Sequence, residues 1–387
     1  MEPNGKPVGG KWSYDGENRL PWPGEPPAPS LPSFEPDAVT REVLAWVSTR
    51  FRHHPGRLNP ASLPATREDA SRLWEWAKSH CMTLFGPYED AMSHRETNLF
   101  HTRISALLNI QRLLPRDIVD ATLRMDLPLA SKEGFIRQII GWREFVHHIH
   151  EATDGFRNFK GVTPATLESP GDGGYASWGK GRWKAPEGAT ADGGACPSEL
   201  GANASLPPAF WGASSGLYCL DHVVETVWEE AYSHHITRLM VLSNWATLLG
   251  LSPREITDWF WVAYVDAFDW VVEPNVLGMG TFATGDLMVT KPYVSGSGYI
   301  NRMSDYCKQC QFNPKKDCPM TRMYWDFLNR NRERLQQNPR LRIVMSSAAK
   351  RSDAVQRTDE EVTSYVRRSL QSGDRVDGTT IRSLIQS

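Results

Sequence analysis

Between Asp266 and Cys318 the chain sets glycine, serine, tyrosine, asparagine and three thiols in short stretches without helical period, flanked by segments that are helical in pattern. The cysteines read Cys307-x2-Cys310-x7-Cys318, with Cys219 far upstream as a candidate fourth ligand. A C-x2-C turn carries two sulfurs round one centre, so this spacing fits a structural zinc or an iron–sulfur cluster. His222 competes with Cys219 if the metal is zinc, and Pro319 directly after the third cysteine tilts the reading towards a cluster. Glycine also lets backbone approach a ligand that hydroxyl and amide groups can hydrogen-bond. Such a stretch constrains the fold to helices closing round bound groups.

The rest of the pattern agrees with an all-α fold. No βαβ alternation and no internal repeat is present. Residues 1–36 are proline-rich and read as a linker; residues 37–153 form a first helical part. Within it Val39, Val43, Trp46 and Val47 share one helical face, Thr66 and Asp69 form a capping box, and Pro115 opens a helix. Ser131 is expected to cap a long helix bearing Phe135, Ile139, Trp142 and Val146. Residues 154–208, rich in Gly, Pro, Ala and Ser, are expected to be a disordered or loosely packed insertion, with Cys196 inside it and not a ligand. Residues 209–345 continue the helical body: one helical stretch spans 219–249 with His234-His235 in its interior, and a Ser252-to-Glu255 capping box opens an aromatic helix. Residues 346–387 read as a charged tail with one helix over 359–370.

Bulk charge excludes little. With 43 basic and 45 acidic residues the net charge of −2 points to neither nucleic acid nor membrane, although basic residues gather from Arg302 to Arg334 around the cysteine loops. There is no apolar run long enough to span a membrane and no secretory apolar region near Met1, so an intracellular, monomeric protein is expected. Six cysteines in such a chain favour metal ligation over disulfides.

Several motifs together carry a resemblance: Gly9 to Asp15, Gly141 to Phe145, Tyr232 to Met240, Thr290 to Tyr293, Tyr299 to Cys310 and Trp325 to Leu328. In these the chain resembles the iron–sulfur bacterial cryptochromes and photolyases, over most of residues 9–345. The resemblance implies a photolyase/cryptochrome FAD-binding helical domain, a [4Fe–4S] cluster and light-driven repair of (6-4) photoproducts in damaged DNA. It matches Cys219, Cys307, Cys310 and Cys318 to the cluster ligands. It sets Thr102, Ser105 and Asn109, with Asp266, Asp269 and Asn275, against the FAD; without the resemblance the first three would equally read as a solvated helix face. His235 matches the histidine acting on the lesion, with His234 beside it, and Tyr293 and Tyr299 match aromatic residues near the lesion pocket. Trp259 and Trp211 match an aromatic electron path, while Phe260 stands where a redox-active tyrosine is usual. The α/β antenna domain of the family is not found here, so no antenna chromophore is expected, and the acid expected beside the flavin, Glu273, is displaced by one position. The readings set against repair are a cryptochrome-like photoreceptor and a helical iron–sulfur module that binds nucleic acid without flavin.

Overall fold

The computed structural model describes residues 2–158 and 194–386, and among these it is helical with no strand beyond one isolated bridge between Ala204 and Leu251. Helix α1 (Ala38–Arg50) is capped by the Asp37 side chain and buries no residue, so the Val39, Val43 and Trp46 face lies open to solvent. Helix α2 (Arg67–His80) carries the full Thr66/Asp69 capping box, and its Leu73, Trp74 and Ala77 enter a core with Phe34, Phe85, Ile104 and Phe135. The proline-rich segment is therefore not a free linker: Phe34 is buried in that core and Trp22 packs on a neighbouring cluster.

Helix α3 (Pro115–Arg124) begins on its proline, and α4 (Leu129–Ile136) continues through a π-helical turn (Arg137–Trp142) into α5 (Arg143–Ala152). Ser131 does not cap this helix but lies inside it. Its hydroxyl donates to Thr83 O and accepts from Gly86 N, tying α4 to the preceding turn. A second, larger core gathers α6 (Tyr218–Glu230), α7 (Asn244–Leu249), α8 (Pro253–Ala263) and α9 (Pro319–Arg330).

Four further expectations are corrected. The stretch over 219–249 breaks at Ala231, which takes a left-handed conformation (φ 49°); His234 then precedes a new helical turn starting at His235, so the pair sits at a helix start. Ser252 accepts from Glu255 N, but the Glu255 carboxylate turns to Leu206 N instead of closing the box. The tail is packed: α10 (Asp353–Gln371) lies against α9 and buries Val362, Val366 and Leu370, and α11 (Gly378–Gln386) buries Ile381. Most of the 154–208 insertion lies outside the described residues, but its ends are not loose, since Phe156 and Ala195 are fully buried and Leu206 joins the same core.

Both ends meet one ionic node. Arg254 donates to Asp258 Oδ1 (Nε, 2.8 Å) and to Glu273 Oε1 (Nη1, 2.7 Å), while His150 Nε2 lies 3.0 Å from Glu273 Oε2. A Cβ on Gly194 would sit 2.7 Å from Arg254 Nη1, and one on Gly155 would sit 3.0 Å from Glu273 Oε2, with both glycines at positive φ. Glycine is what lets the two strands of the neck pass this close. Burial raises the Glu273 pKa, but the His150 hydrogen bond and the Arg254 charge outweigh it and hold the carboxyl below its usual value.

Candidate functional site

At the seam between the two cores lies a cavity of about 290 Å³. Three π-helical turns wall it: Arg137–Trp142 contributes Gln138 and Trp142, Arg238–Ser243 contributes Arg238 and Ser243, and Pro274–Gly280 contributes Asn275 and Met279. The wide turn displaces side chains from the α-helical register and is found disproportionately at functional sites. The second and third turns touch where a Cβ on Gly280 would sit 2.6 Å from Ser243 Oγ.

Asp266 organises the polar wall. Its carboxylate accepts both terminal nitrogens of Arg238 (3.0 and 2.9 Å) and the Ser105 hydroxyl (2.7 Å), and its backbone carbonyl accepts Asn109 Nδ2 at 2.8 Å. Arg143 Nη1 extends the network to Asn109 Oδ1 (2.7 Å), and Trp142 Nε1 donates to Asn275 Oδ1 (2.8 Å). Arg238 also stacks over Tyr264, 4.1 Å from the ring centre. Burial opposes its charge, yet Asp266 wins and the guanidinium stays protonated, whereas burial of Arg143 is only partly offset by Glu144 and its pKa is lowered.

Thr102, Ser105, Asn109, Asp266, Asn275 and His235 thus face one cavity. Asp269 does not: it accepts the indole N–H of Trp261 at the surface. His234 lies behind the wall, stacked on His101 at 4.3 Å, with its Nδ1 buried and unpaired. His235 is exposed on one side, and desolvation by the cavity wall, with Arg238 adding to it, lowers its pKa, while burial lowers that of His101 to about 3. The histidines at this wall are neutral imidazoles near pH 7, not the imidazolium expected for a general acid. Tyr293 is half-exposed and Tyr299 donates to Asp90 (3.1 Å); neither lines the cavity. Glu273 does not line it either, for its carboxylate is spent on Arg254 and His150, and Val272 takes the place on the wall.

From the cavity an aromatic chain runs outward. Phe260 and Tyr264 line the cavity and stack at 5.1 Å; Trp259 lies 5.3 Å from the first and 6.1 Å from the second. Trp259 meets Trp228 at 5.8 Å, and Trp228 stacks on half-buried Trp211 at 5.5 Å. The indole N–H groups of Trp228 and Trp259 both donate to Phe210 O. Sequence reading missed Arg143, Arg238, Trp228 and Tyr264. The signal for Arg238 was available: a lone arginine in the otherwise apolar run Ile236 to Leu242 must be paired.

The four cysteines form a separate cluster. Cys219 on α6 accepts the Trp245 indole N–H at 3.4 Å and couples electrostatically to Cys307 and Cys310, and Cys318 couples to all three. Burial lifts the Cys219 thiol to about 12 and the Cys307 thiol to about 11. No three of these sulfurs lie within 4.8 Å of one another, a spacing that His147, His148 and Glu151 do reach. The basic residues around the cysteine loops divide: Lys315, Lys316, Arg322 and Arg351 line a crevice over Cys318, while Arg330 and Arg334 face a different recess. No helix among the described residues is long and apolar enough to cross a membrane.

These features define a helical protein with a polar-walled interior cavity, an aromatic chain leading out of it and a four-thiol site. Residues 1–63 match the family model described as deoxyribodipyrimidine photo-lyase-related protein. Over 364 residues, 90% of the chain, the sequence is 35% identical to the (6-4) photolyase of Agrobacterium fabrum (strain C58), of whose own length the chain spans 64%. A stretch of 92 residues, 24% of the chain, is 34% identical to an uncharacterized protein of Acanthamoeba polyphaga mimivirus, covering 72% of it. Among solved structures, a bacterial class III photolyase from Agrobacterium tumefaciens superposes with a TM-score of 0.41 at 15% identity, over 78% of this chain and 56% of that one. The chain is thus similar to the photolyase-related family at its first 63 residues and to a (6-4) photolyase over most of its length.

Proposed function

We propose that the chain is the catalytic part of a light-driven, flavin-dependent DNA photolyase acting on (6-4) photoproducts, with FAD in the cavity at the seam. The observation that carries this reading is the aromatic chain from Trp211 to the wall at Phe260 and Tyr264, which ends on the same cavity as the Arg238–Asp266 pair and His235. The cavity fits the cofactor. Arg143 is a partly uncompensated cation suited to a pyrophosphate, and Asn275, Ser105 and the Arg238–Asp266 pair offer fixed donors and acceptors to a heterocycle. Reduced flavin, when bound and excited, supplies the electron that splits the adduct. Arg238 holds the Asp266 carboxylate oriented by two hydrogen bonds, and His235 presents its ring to the cavity, where it can hold a proton towards a bound group. Tyr264 and Trp259 form the inner end of the path by which the cavity draws electrons from the surface; Tyr264 does the work that Phe260, far harder to oxidise, does not.

The cysteine site is suited to a [4Fe–4S] cluster. One zinc ion, with Zn–S bonds of about 2.3 Å, would hold its sulfurs roughly 3.8 Å apart, tighter than the spread seen here. Damaged DNA is the substrate, its lesion flipped out to reach the cavity. The basic crevice over Cys318 supports phosphate contacts beside the cluster.

The photoreceptor reading has one observation in its favour: Val272 lines the cavity and Glu273 is turned away, leaving that part of the wall uncharged. Blue-light repair of an oligonucleotide with a single (6-4) lesion, by wild type and His235→Ala, separates the two. Repair that is lost in the variant supports the photolyase reading, repair that persists removes His235 from it, and a flavin-loaded wild type that repairs nothing leaves the photoreceptor. Iron and acid-labile sulfide in anaerobically purified protein, or zinc in their place, decides the cysteine site.

A further inference from the structure

Away from the flavin cavity, a recess of about 250 Å³ opens between α9, α10 and the loop that ends at Leu206. Three guanidinium groups face it, those of Arg330, Arg334 and Arg367, and no aspartate or glutamate among the described residues lines it. Arg330 is partly engaged: its Nη2 donates to Leu248 O (2.7 Å) and Thr247 O (3.3 Å) at the end of α7, and its Nε lies 3.8 Å from Asp326. Arg367 is not satisfied in this way. Its Nε is buried without a hydrogen-bond partner, and burial, offset only by Asp326, lowers its pKa. A buried cation is costly unless it is paired.

Two glycines make room for these side chains. A Cβ on Gly250 (φ +70°) would lie 2.7 Å from Arg367 Nη2, and one on Gly201 (φ +66°) would lie 3.3 Å from Arg334 Nη2. Leu249, Phe327 and Leu370 close the floor of the recess and are almost fully buried, while Leu200, Ala202 and Ala204 supply its accessible apolar side. Guanidinium groups converging from separate helices match the several acceptor oxygens of a phosphoryl dianion better than the two of a carboxylate. The accessible apolar side and the volume leave space for an organic body beside the anion.

We propose that this recess binds the phosphomonoester of a small organic molecule, with the phosphoryl group on Arg330, Arg334 and Arg367 and its organic body against the partly exposed Leu200, Ala202 and Ala204. A backbone phosphate of bound DNA offers similar chemistry, and the test separates the two sources. Full-length protein saturated with FAD, so that the seam cavity is occupied, is titrated calorimetrically with AMP and with phenyl phosphate, and separately with undamaged duplex DNA. We expect saturable binding of one AMP per chain, weakened at least ten-fold in Arg367→Gln and in Arg334→Gln, with duplex affinity unchanged. Arg334 is exposed, so its substitution leaves the fold intact even where that of Arg367 does not. The proposal is overturned if folded wild type binds neither phosphomonoester, or if both variants bind them as wild type does. It is equally overturned if only duplex binding falls in the variants, which would make the recess a nucleic-acid contact.

Discussion

Glu273 is where a sequence expectation and the structure part, and replacing it with glutamine tests which is right. In the structure Glu273 is an almost fully buried member of the Arg254–Asp258–His150 node, 2.7 Å from Arg254 and 3.0 Å from His150. Glutamine keeps the volume but removes the charge. Arg254 retains Asp258, so the cation is not orphaned, and the loss is one charge-assisted hydrogen bond to Arg254 plus part of that to His150. At about 1.5–3 kcal/mol for a hydrogen bond to a charged group, Glu273→Gln should cost roughly 2–4 kcal/mol of stability. Because the node packs against Gly155 and Gly194, the loss should come with faster proteolysis beside these two glycines. Flavin affinity, measured by fluorescence titration under conditions where the variant is folded, should stay within about two-fold of wild type. Asp266→Asn is the matched control: it disturbs the cavity wall itself and should weaken flavin binding at least ten-fold. A Glu273→Gln protein with unchanged denaturation midpoint and flavin affinity reduced ten-fold would refute the argument and return the carboxylate to the flavin.

Three further outcomes are expected. Folding holds His235 at a pKa of about 4 against an ordinary 6.5, so the unfolded chain binds more protons between these values and stability falls as pH drops through that window. His235 is solvent-exposed on one side, so screening leaves only a fraction of that shift as stability, and His235→Asn should flatten the stability–pH profile slightly across this window; an unchanged profile would place the titration elsewhere. Trp228→Phe should slow blue-light photoreduction of bound flavin several-fold without changing flavin affinity, since it removes the oxidisable ring between Trp211 and Trp259; equal photoreduction rates would mean that the electron leaves by another route. Arg143→Met should weaken FAD binding more than riboflavin binding if this cation serves the pyrophosphate, and equal weakening would assign it to the isoalloxazine end.

Much of the cavity was legible because its polar residues come from motifs with fixed spacing. Ser105 and Asn109 lie four residues apart on one short helix, and Asp266 and Asn275 flank one short segment, so local sequence brings these to the wall; Thr102, expected on the same helical face, reaches the cavity from the non-helical residues before Ser105, past Arg103 at positive φ. What sequence could not show was register. A π-helical turn moves every later side chain off the α-helical position, and three such turns surround this cavity. Asp269 and Val272 precede the third of these turns, and their placement follows from side-chain pairing instead: Asp269 accepts from Trp261 at the surface, and Glu273 is drawn to Arg254 and His150, leaving Val272 on the cavity wall. The break at Ala231 had no local signal, since alanine is a helix former and takes left-handed φ there only because the surrounding structure imposes it. The packed tail was missed for the opposite reason: α10 is predominantly polar, and its buried Val362, Val366 and Leu370 stripe is narrow enough to read as a solvated helix.

Charge placement carries the same lesson further. The basic run from Arg302 to Arg334 reads as one face in sequence, but its members sit before, on and after helix α9 and face different recesses. Lys315, Lys316 and Arg322 reach the crevice over Cys318, where Arg322 and Arg351 are anchored by Asp359 (3.1 Å from Arg322) and pairing limits their free charge. Arg330 and Arg334 turn to the other recess, where Arg367 joins them from α10 and Asp326, behind the wall, is the one acid close to Arg330 and Arg367 among the described residues. Cations paired with Asp359 are held in place, and that rigidity suits a surface that must register DNA phosphates. Cations left with a buried, unpaired nitrogen instead retain a desolvation cost that a bound anion relieves. Two sites of the same sign at opposite ends of α9 are therefore expected to differ in salt response: duplex binding at the crevice should weaken steeply with salt, because counterions are released along the backbone. Phosphomonoester binding in the more enclosed recess should weaken only modestly. Parallel AMP and duplex titrations at low and high salt should give two distinct slopes, and a single common slope would mean that both ligands use one site.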